Sequence, residues 1–214
     1  MLPSLETVIT VLDYFRLGID AAAALKHLNY GYKSDFAILP KVEAELPWVA
    51  DLTHRLTTGL AFINLTNEIA RREFLIAPVL FDLARFTEAR VQSDFPLDAG
   101  DHLRGTIDYF LQAQHNFLIV EAKNADLQRG FTQLAAELVA LDQMTEAQVE
   151  NLYGAVSIGN VWQFGILDRT RKQVTQDLTL YTVPGMLETL LQILVGILAP
   201  TYGVPQTSQT GEVI

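Results

Sequence analysis

Residues 102–141, HLRGTIDYFLQAQHNFLIVEAKNADLQRGFTQLAAELVAL, constrain the fold more tightly than any other stretch of the chain. Residues 103–111 and 117–123 are candidate strands, and a helix begins near Asp126. Asp108 lies in the first strand, and Glu121 and Lys123 end the second. Side chains alternate faces along a strand, so Glu121 and Lys123 point the same way, roughly 6.5–7 Å apart. A hairpin about residues 114–116 stands Asp108 beside Glu121. Two carboxylates and one ammonium then meet at the end of an otherwise apolar sheet.

Charged side chains are seldom kept inside apolar strands unless they are paired or coordinate a metal. Here FLIV runs directly into Glu121, as a buried strand would. Two readings stand side by side. Asp108 and Glu121 can flank Lys123 in an ordinary ion pair. Alternatively, the surplus negative charge of two acids against one base is neutralised by a divalent cation.

A chain of 214 residues with 50% hydrophobic content suits one compact domain with a sizeable core. Mean hydropathy is high at +0.20, yet no run reaches the roughly 18–20 uninterrupted apolar residues of a membrane span. The most apolar helix candidate, 187–198, carries Glu188 and Gln192 and reads as a core helix. The amino terminus lacks the basic and apolar regions of a secretory leader, so a cytoplasmic location is expected. The chain has no cysteine, which excludes disulfides and thiolate metal sites. A formal charge of −10 argues against tight nonspecific binding to duplex nucleic acid. A local basic rim remains available from Arg71, Arg72, Arg104, Lys123 and Arg129, all near the proposed cluster in sequence.

Before the cluster, residues 3–15 carry apolar positions at a helical repeat, 19–28 form a short second helix, and 29–33 are turn-like. Residues 35–47 read as irregular. A helix over 46–60 is entered near Pro47, where a missing N–H costs little. Residues 64–87 form a helix capped by Thr66 or Asn67 and kinked or interrupted by Pro78. Glu68 suits its positive end and can pair with Arg72 at i+4. Residues 89–97 make a strand. Past the cluster, the helix 126–141 contains Gly130, which weakens it by up to about 1 kcal/mol against alanine and so indicates close backbone approach to the strands. Residues 152–157, 161–167 and 173–181 are three further strands, and Pro184 opens the last helix. No role is assigned to any of the four histidines.

Asp108, a dozen intervening residues, then Glu121-Ala122-Lys123 resembles the PD-(D/E)xK nuclease superfamily, with Ile107 where the family name has proline. The resemblance implies an α/β, restriction-endonuclease-like core over 61–199, a central mixed sheet flanked by helices. Residues 1–60 are then a helical extension packed on that core and 200–214 a poorly ordered tail. It also implies metal-dependent phosphodiester hydrolysis of nucleic acid, with Mg²⁺ or Mn²⁺ as cofactor and DNA preferred to RNA. Asp108, Glu121 and the Ala122 carbonyl would be the metal ligands, and Lys123 would orient the attacking water. The segment NEIARREFLIAPVL is similar to the opening helix of such domains, which carries a metal-facing role to Glu68, with Glu73 as the weaker match. Gln133 matches a glutamine that reaches towards the metal in related nucleases. Glu137 stands where one subgroup has tyrosine, so that subgroup is not assigned. Restriction-like nucleases often pair to cut two strands, which makes a homodimer a further expectation. Over its whole length the chain also resembles a bacterial family of about this size, which supports the fold and supplies no activity.

Two rivals share these residues. One is the same fold with an inert site, acting as a nucleic-acid-binding, protein-binding or assembly module. The other is a metal-dependent hydrolase of smaller phosphates.

Overall fold

A computed structural model describes residues 9–10, 13, 18–100, 103–114, 116–146 and 148–203. In order these form β1 (Ile9–Thr10), α1 (Ala21–His27), β2 (Gly31–Asp35), α2 (Val49–Gly59) and α3 (Glu68–Arg71). A π-helical turn (Arg72–Ile76) joins α3 to α4 (Ala77–Thr87). Then follow β3 (Arg90–Asp98), β4 (Leu103–Ala113), β5 (Asn116–Ala122), α5 (Leu127–Met144), β6 (Asn151–Ser157), β7 (Val161–Asp168), β8 (Gln173–Asp177), β9 (Tyr181–Thr182) and α6 (Leu187–Leu198). The fold is mixed α/β, as the sequence predicts.

One mixed sheet orders its strands β1-β4-β5-β6-β7-β8-β2, with β3 beside β4 and β9 beside β7. The β4–β5 hairpin is antiparallel, while β5 and β6 are parallel and joined by the crossover helix α5. Alternation along β5 divides the core. Leu118, Val120 and Ala122 pack with residues of α2, α4 and α6, including Leu52, Leu80 and Leu194. Ile119 packs on the opposite side with Leu25 of α1 and Phe131, Leu134 and Leu138 of α5. Leu118, Ile119 and Val120 of the FLIV run are therefore buried on both faces of the sheet, with Phe117 partly buried at its start.

Helix α5 starts where expected, with the Asp126 side chain accepting from the Arg129 N–H at 3.0 Å. Every residue from Gly130 to Leu141 is buried. The sheet covers one face, and α1 covers another through Ala24 and Leu25. A helix buried all round must keep its polar side chains inside the protein. That places Thr132, Gln133 and Glu137 in the interior.

Upstream, the Asn67 side chain caps α3 by accepting from the Ala70 N–H at 2.8 Å. Pro78 has no N–H to return to the Phe74 carbonyl. The helix responds with the wide turn Arg72–Ile76 rather than breaking, and α4 resumes with the proline in its first turn.

Several expectations are corrected. Ile9–Thr10 is a strand parallel to β4, not part of a helix, and the rest of the proposed 3–15 helix falls outside the described residues apart from Asp13. Residues 31–33 belong to β2, which pairs parallel with β8 over its full length. The extension over 1–60 thus supplies two sheet strands, β1 and β2, as well as helices. The expected strand 173–181 divides into β8 and β9, because residues 178–180 leave the ladder before Tyr181 pairs with Trp162. Residues 204–214 of the expected tail lie outside the described residues. Among the described residues, no helix is long and apolar enough to cross a membrane. Helix α6 is buried against the sheet instead.

Candidate functional site

The β4–β5 ladder runs from Ala113↔Asn116 to Tyr109↔Val120 and stops there. Asp108 and Glu121 are the next two residues, one on each strand. Asp108 Oδ2 accepts the Ala122 N–H at 2.8 Å, so a side chain takes the bond a backbone carbonyl would otherwise make. The alternation of β4 also slips here. Ile107 and Phe110, three residues apart, pack in one core cluster, and Tyr109 and Leu111 pack in the other. Opposite Asp108 on β3, Asp94 takes a left-handed backbone at φ 51°, a conformation aspartate tolerates better than most residues. Three local irregularities thus coincide at one acidic position.

Glu121 is 1% exposed and pairs through Oε1 with the Lys123 ammonium. Asp108 Oδ1 receives Arg72 at 3.0 Å, and Arg72 also lies over the Tyr109 ring, 5.2 Å from its centre. In place of the expected Glu68–Arg72 pair, the Arg72 guanidinium is held by Asp108 and the Tyr109 ring. Asp94 is Arg72's second acid, at 3.7 Å. Glu68, in the first turn of α3, is half-buried and near enough to Lys123 to favour its charge. Glu73 is exposed. Gln133 is buried beside the cluster, but its amide donates to Glu137 Oε1 at 2.9 Å. Asp108, Glu121, Ala122, Lys123, Glu68 and Gln133 are therefore brought to one place.

Glu137 is the member that sequence reasoning missed. It is fully buried and faces Glu121 across the interface of α5 with β5. The available signal was an acid inside the apolar stretch LAAELVAL, four residues after Gln133. The proposed basic rim is largely committed elsewhere. Arg104 pairs with Asp98, Arg129 with Asp126, and Arg71 donates to the Ile158 carbonyl at 2.9 Å.

Burial raises the Glu121 carboxyl well above the usual range, and Glu137 and Asp108 add to the effect, with Lys123 opposing it. Burial likewise lifts Glu137 to about 7, while its contacts with Gln133 and Glu121 pull the other way. Burial works against the Lys123 charge, but Glu121, Asp108 and Glu68 outweigh it and its pKa rises. The ammonium is thereby held protonated, which suits an electrostatic role rather than that of a base.

These shifts fix a pH dependence. A carboxyl with a raised folded-state pKa holds its proton where the unfolded chain releases it, near 4.5. Its stabilising contribution is complete below that value and is lost as pH rises through about 7. In chelator, the melting temperature is expected to fall between about pH 5 and pH 8, reflecting a loss on the order of 3 kcal/mol. Glu137→Gln should flatten the profile. Thermal scans across that range provide the check. The lowered carboxylates Asp35 and Asp168 act at more acid pH, and the raised tyrosines Tyr30, Tyr153 and Tyr181 act only in alkali, so neither group masks the trend.

Donor chemistry bears on whether a metal fits. Glu121 Oε2, Glu137 Oε2 and Gln133 Oε1 are buried oxygens without a hydrogen-bond donor. Oxygen ligands of this kind suit Mg²⁺ or Mn²⁺. As the side chains stand, no group of three or more His, Asp or Glu residues among the described ones is arranged to enclose a metal. Arg72 and the Ala122 N–H together engage both Asp108 oxygens. Comparison of the chain with protein-family models, curated proteins and solved structures found no match.

Proposed function

We propose that this protein hydrolyses phosphodiester bonds of nucleic acid, with DNA as the preferred polymer, in the manner of the PD-(D/E)xK nucleases that its motif resembles. The observation that carries the proposal is the Asp108–Glu121–Lys123 cluster at the splayed end of β4 and β5, half-buried at Asp108 and Lys123 and buried at Glu121, which keeps one oxygen free of donors. Asp108, Glu121, the Ala122 carbonyl and Glu68 would hold Mg²⁺ or Mn²⁺. That ion would lower the pKa of a water and screen charge developing on phosphate.

The chain's own residues supply the rest. Glu121 and Asp108 keep Lys123 protonated, so its ammonium can orient the attacking water and offset phosphate charge. Arg72, anchored on Asp108 and the Tyr109 ring, offers a second cation to the phosphate. With so few free basic groups near the site, binding depends on local contacts rather than on overall charge, which is −10. A duplex presents two strands to be cut, so two copies acting together are the assembly this chemistry favours.

The test is incubation of supercoiled plasmid, linear duplex, single-stranded DNA and RNA with the protein in Mg²⁺ or Mn²⁺, with and without chelator. Chelator-sensitive cleavage of one polymer, DNA before RNA, is expected. Loss of polymer cleavage together with turnover of small phosphate esters would point to a different hydrolase.

One observation favours a second reading, an inert binding or assembly module on the same fold. Arg72 stands on Asp108 as a protein counter-ion, which makes a metal dispensable for charge balance there. In that case wild type binds Mn²⁺ no better than Asp108→Ala.

A further inference from the structure

We propose that Glu137 is an additional oxygen ligand for a divalent cation, forming with Glu121 and Gln133 a buried inner half of the site. The inference rests on the metal-dependent hydrolysis proposed above and extends its ligand set beyond the residues of the motif.

The charge balance singles Glu137 out. Arg72 pairs with Asp108 and Lys123 pairs with Glu121, but no cation pairs with Glu137 among the described residues. Yet Glu137 is 0% exposed. A buried carboxylate in such a place needs a partner. Gln133 donates to Oε1 only, leaving Oε2 with no donor. Glu121 Oε2 and Gln133 Oε1 are unsatisfied as well. A proton shared by the two glutamates satisfies both of their free oxygens and leaves the glutamine carbonyl alone unmatched. A small divalent cation accepts all three, two carboxylates and one amide, and hard oxygen donors are what Mg²⁺, Mn²⁺ and Ca²⁺ take. The two elements that present them are held together rigidly. Glu121 lies at the end of β5 beyond the β4 ladder, where it still pairs with Val156 of β6, and α5 is the crossover that leads into β6.

The experiment is titration of the full chain with Mn²⁺ at neutral pH, read by calorimetry and by the metal-induced rise in melting temperature. Wild type, Glu137→Gln, Gln133→Leu and Asp108→Asn are compared, and DNA cleavage by wild type is assayed separately. Glu137→Gln keeps the shape of the side chain and mimics its protonated form, so it separates a cation from a proton. The expected result is affinity weakened at least about tenfold in Glu137→Gln, with a weaker loss in Gln133→Leu and loss of the metal-induced stabilisation. If Glu137→Gln does not fold, Gln133→Leu decides, and wild-type affinity in it overturns the inference. Wild-type affinity in Glu137→Gln also overturns it, as does the absence of Mn²⁺ binding to wild type. Chelator-sensitive cleavage with affinity independent of Glu137 would leave the hydrolysis standing and remove this ligand. Affinity dependent on Glu137 without cleavage would keep the cation site and remove the hydrolysis.

Discussion

Replacing Asp108 by alanine is expected to lower metal-dependent cleavage by roughly 10²–10³-fold, the scale on which single charge-stabilising groups act in hydrolytic sites. The substitution also reaches the fold. Asp108 Oδ2 is the acceptor for the Ala122 N–H, and Ala122 is fully buried. A buried donor left without a partner costs about 1–3 kcal/mol. Arg72 loses its 3.0 Å partner and keeps the Tyr109 ring and Asp94, the latter at 3.7 Å. Asp108→Asn separates the two effects, because its amide oxygen can still accept from Ala122 while the charge is gone. Urea unfolding should show the alanine variant destabilised and the asparagine variant closer to wild type. Cleavage should be lost in both. Full activity in Asp108→Asn would remove this carboxylate from the chemistry.

The second large effect comes from a residue that carries no functional group. A Cβ on Gly130 would stand 2.5 Å from Val156 Cγ2 and 2.8 Å from Lys123 Cγ. Alanine improves helix propensity by up to about 1 kcal/mol, whereas forcing a methyl into a filled core costs about 1–3 kcal/mol. Val156 is fully buried in β6 and has little room to yield. Lys123 is the neighbour that can move, and moving it draws the ammonium away from Glu121. Gly130→Ala is therefore expected to lower stability despite the propensity gain, and to lower cleavage by about tenfold or more through misplacement of a group it never touches chemically. Gly59, at the end of α2, is the control, since a Cβ there meets only Ile63 Cδ1 at an ordinary 3.5 Å. Gly59→Ala should leave both properties near wild type or slightly raise stability. Denaturant midpoints and cleavage rates for the two variants check the pair.

The Gly130 contact was legible in the sequence, and why it was explains what else was. A glycine inside an otherwise apolar helix that follows a buried strand implies close approach of the two. In the same way, the run FLIV ending in Glu121 fixed the position of β5, and the hairpin register placed Asp108 next to it. The polar strand β2 was not legible. Its sequence GYKSD has no apolar alternation, and it is a strand because β8 pairs along its whole length. Tertiary pairing there overrides local propensity.

Inside the site the limit was similar. An amphipathic pattern shows which face of α5 meets the sheet but not that α1 covers the helix from another side. Without that second layer Gln133 and Glu137 look solvated, although both are buried. Glu68 and Arg72 have the spacing of a helical ion pair, but Asp108 and Tyr109, distant in sequence, take the guanidinium.

The central claim is that this partly buried cluster cuts nucleic acid with the help of its lysine. The most direct test is cleavage of supercoiled plasmid in Mg²⁺ by wild type and Lys123→Ala, purified identically, with folding of each verified by circular dichroism. Wild type should nick or linearise the plasmid, chelator should stop it, and the variant should be slower by at least about 100-fold. Equal rates in the two proteins, or no metal-dependent cleavage by wild type, would contradict the claim.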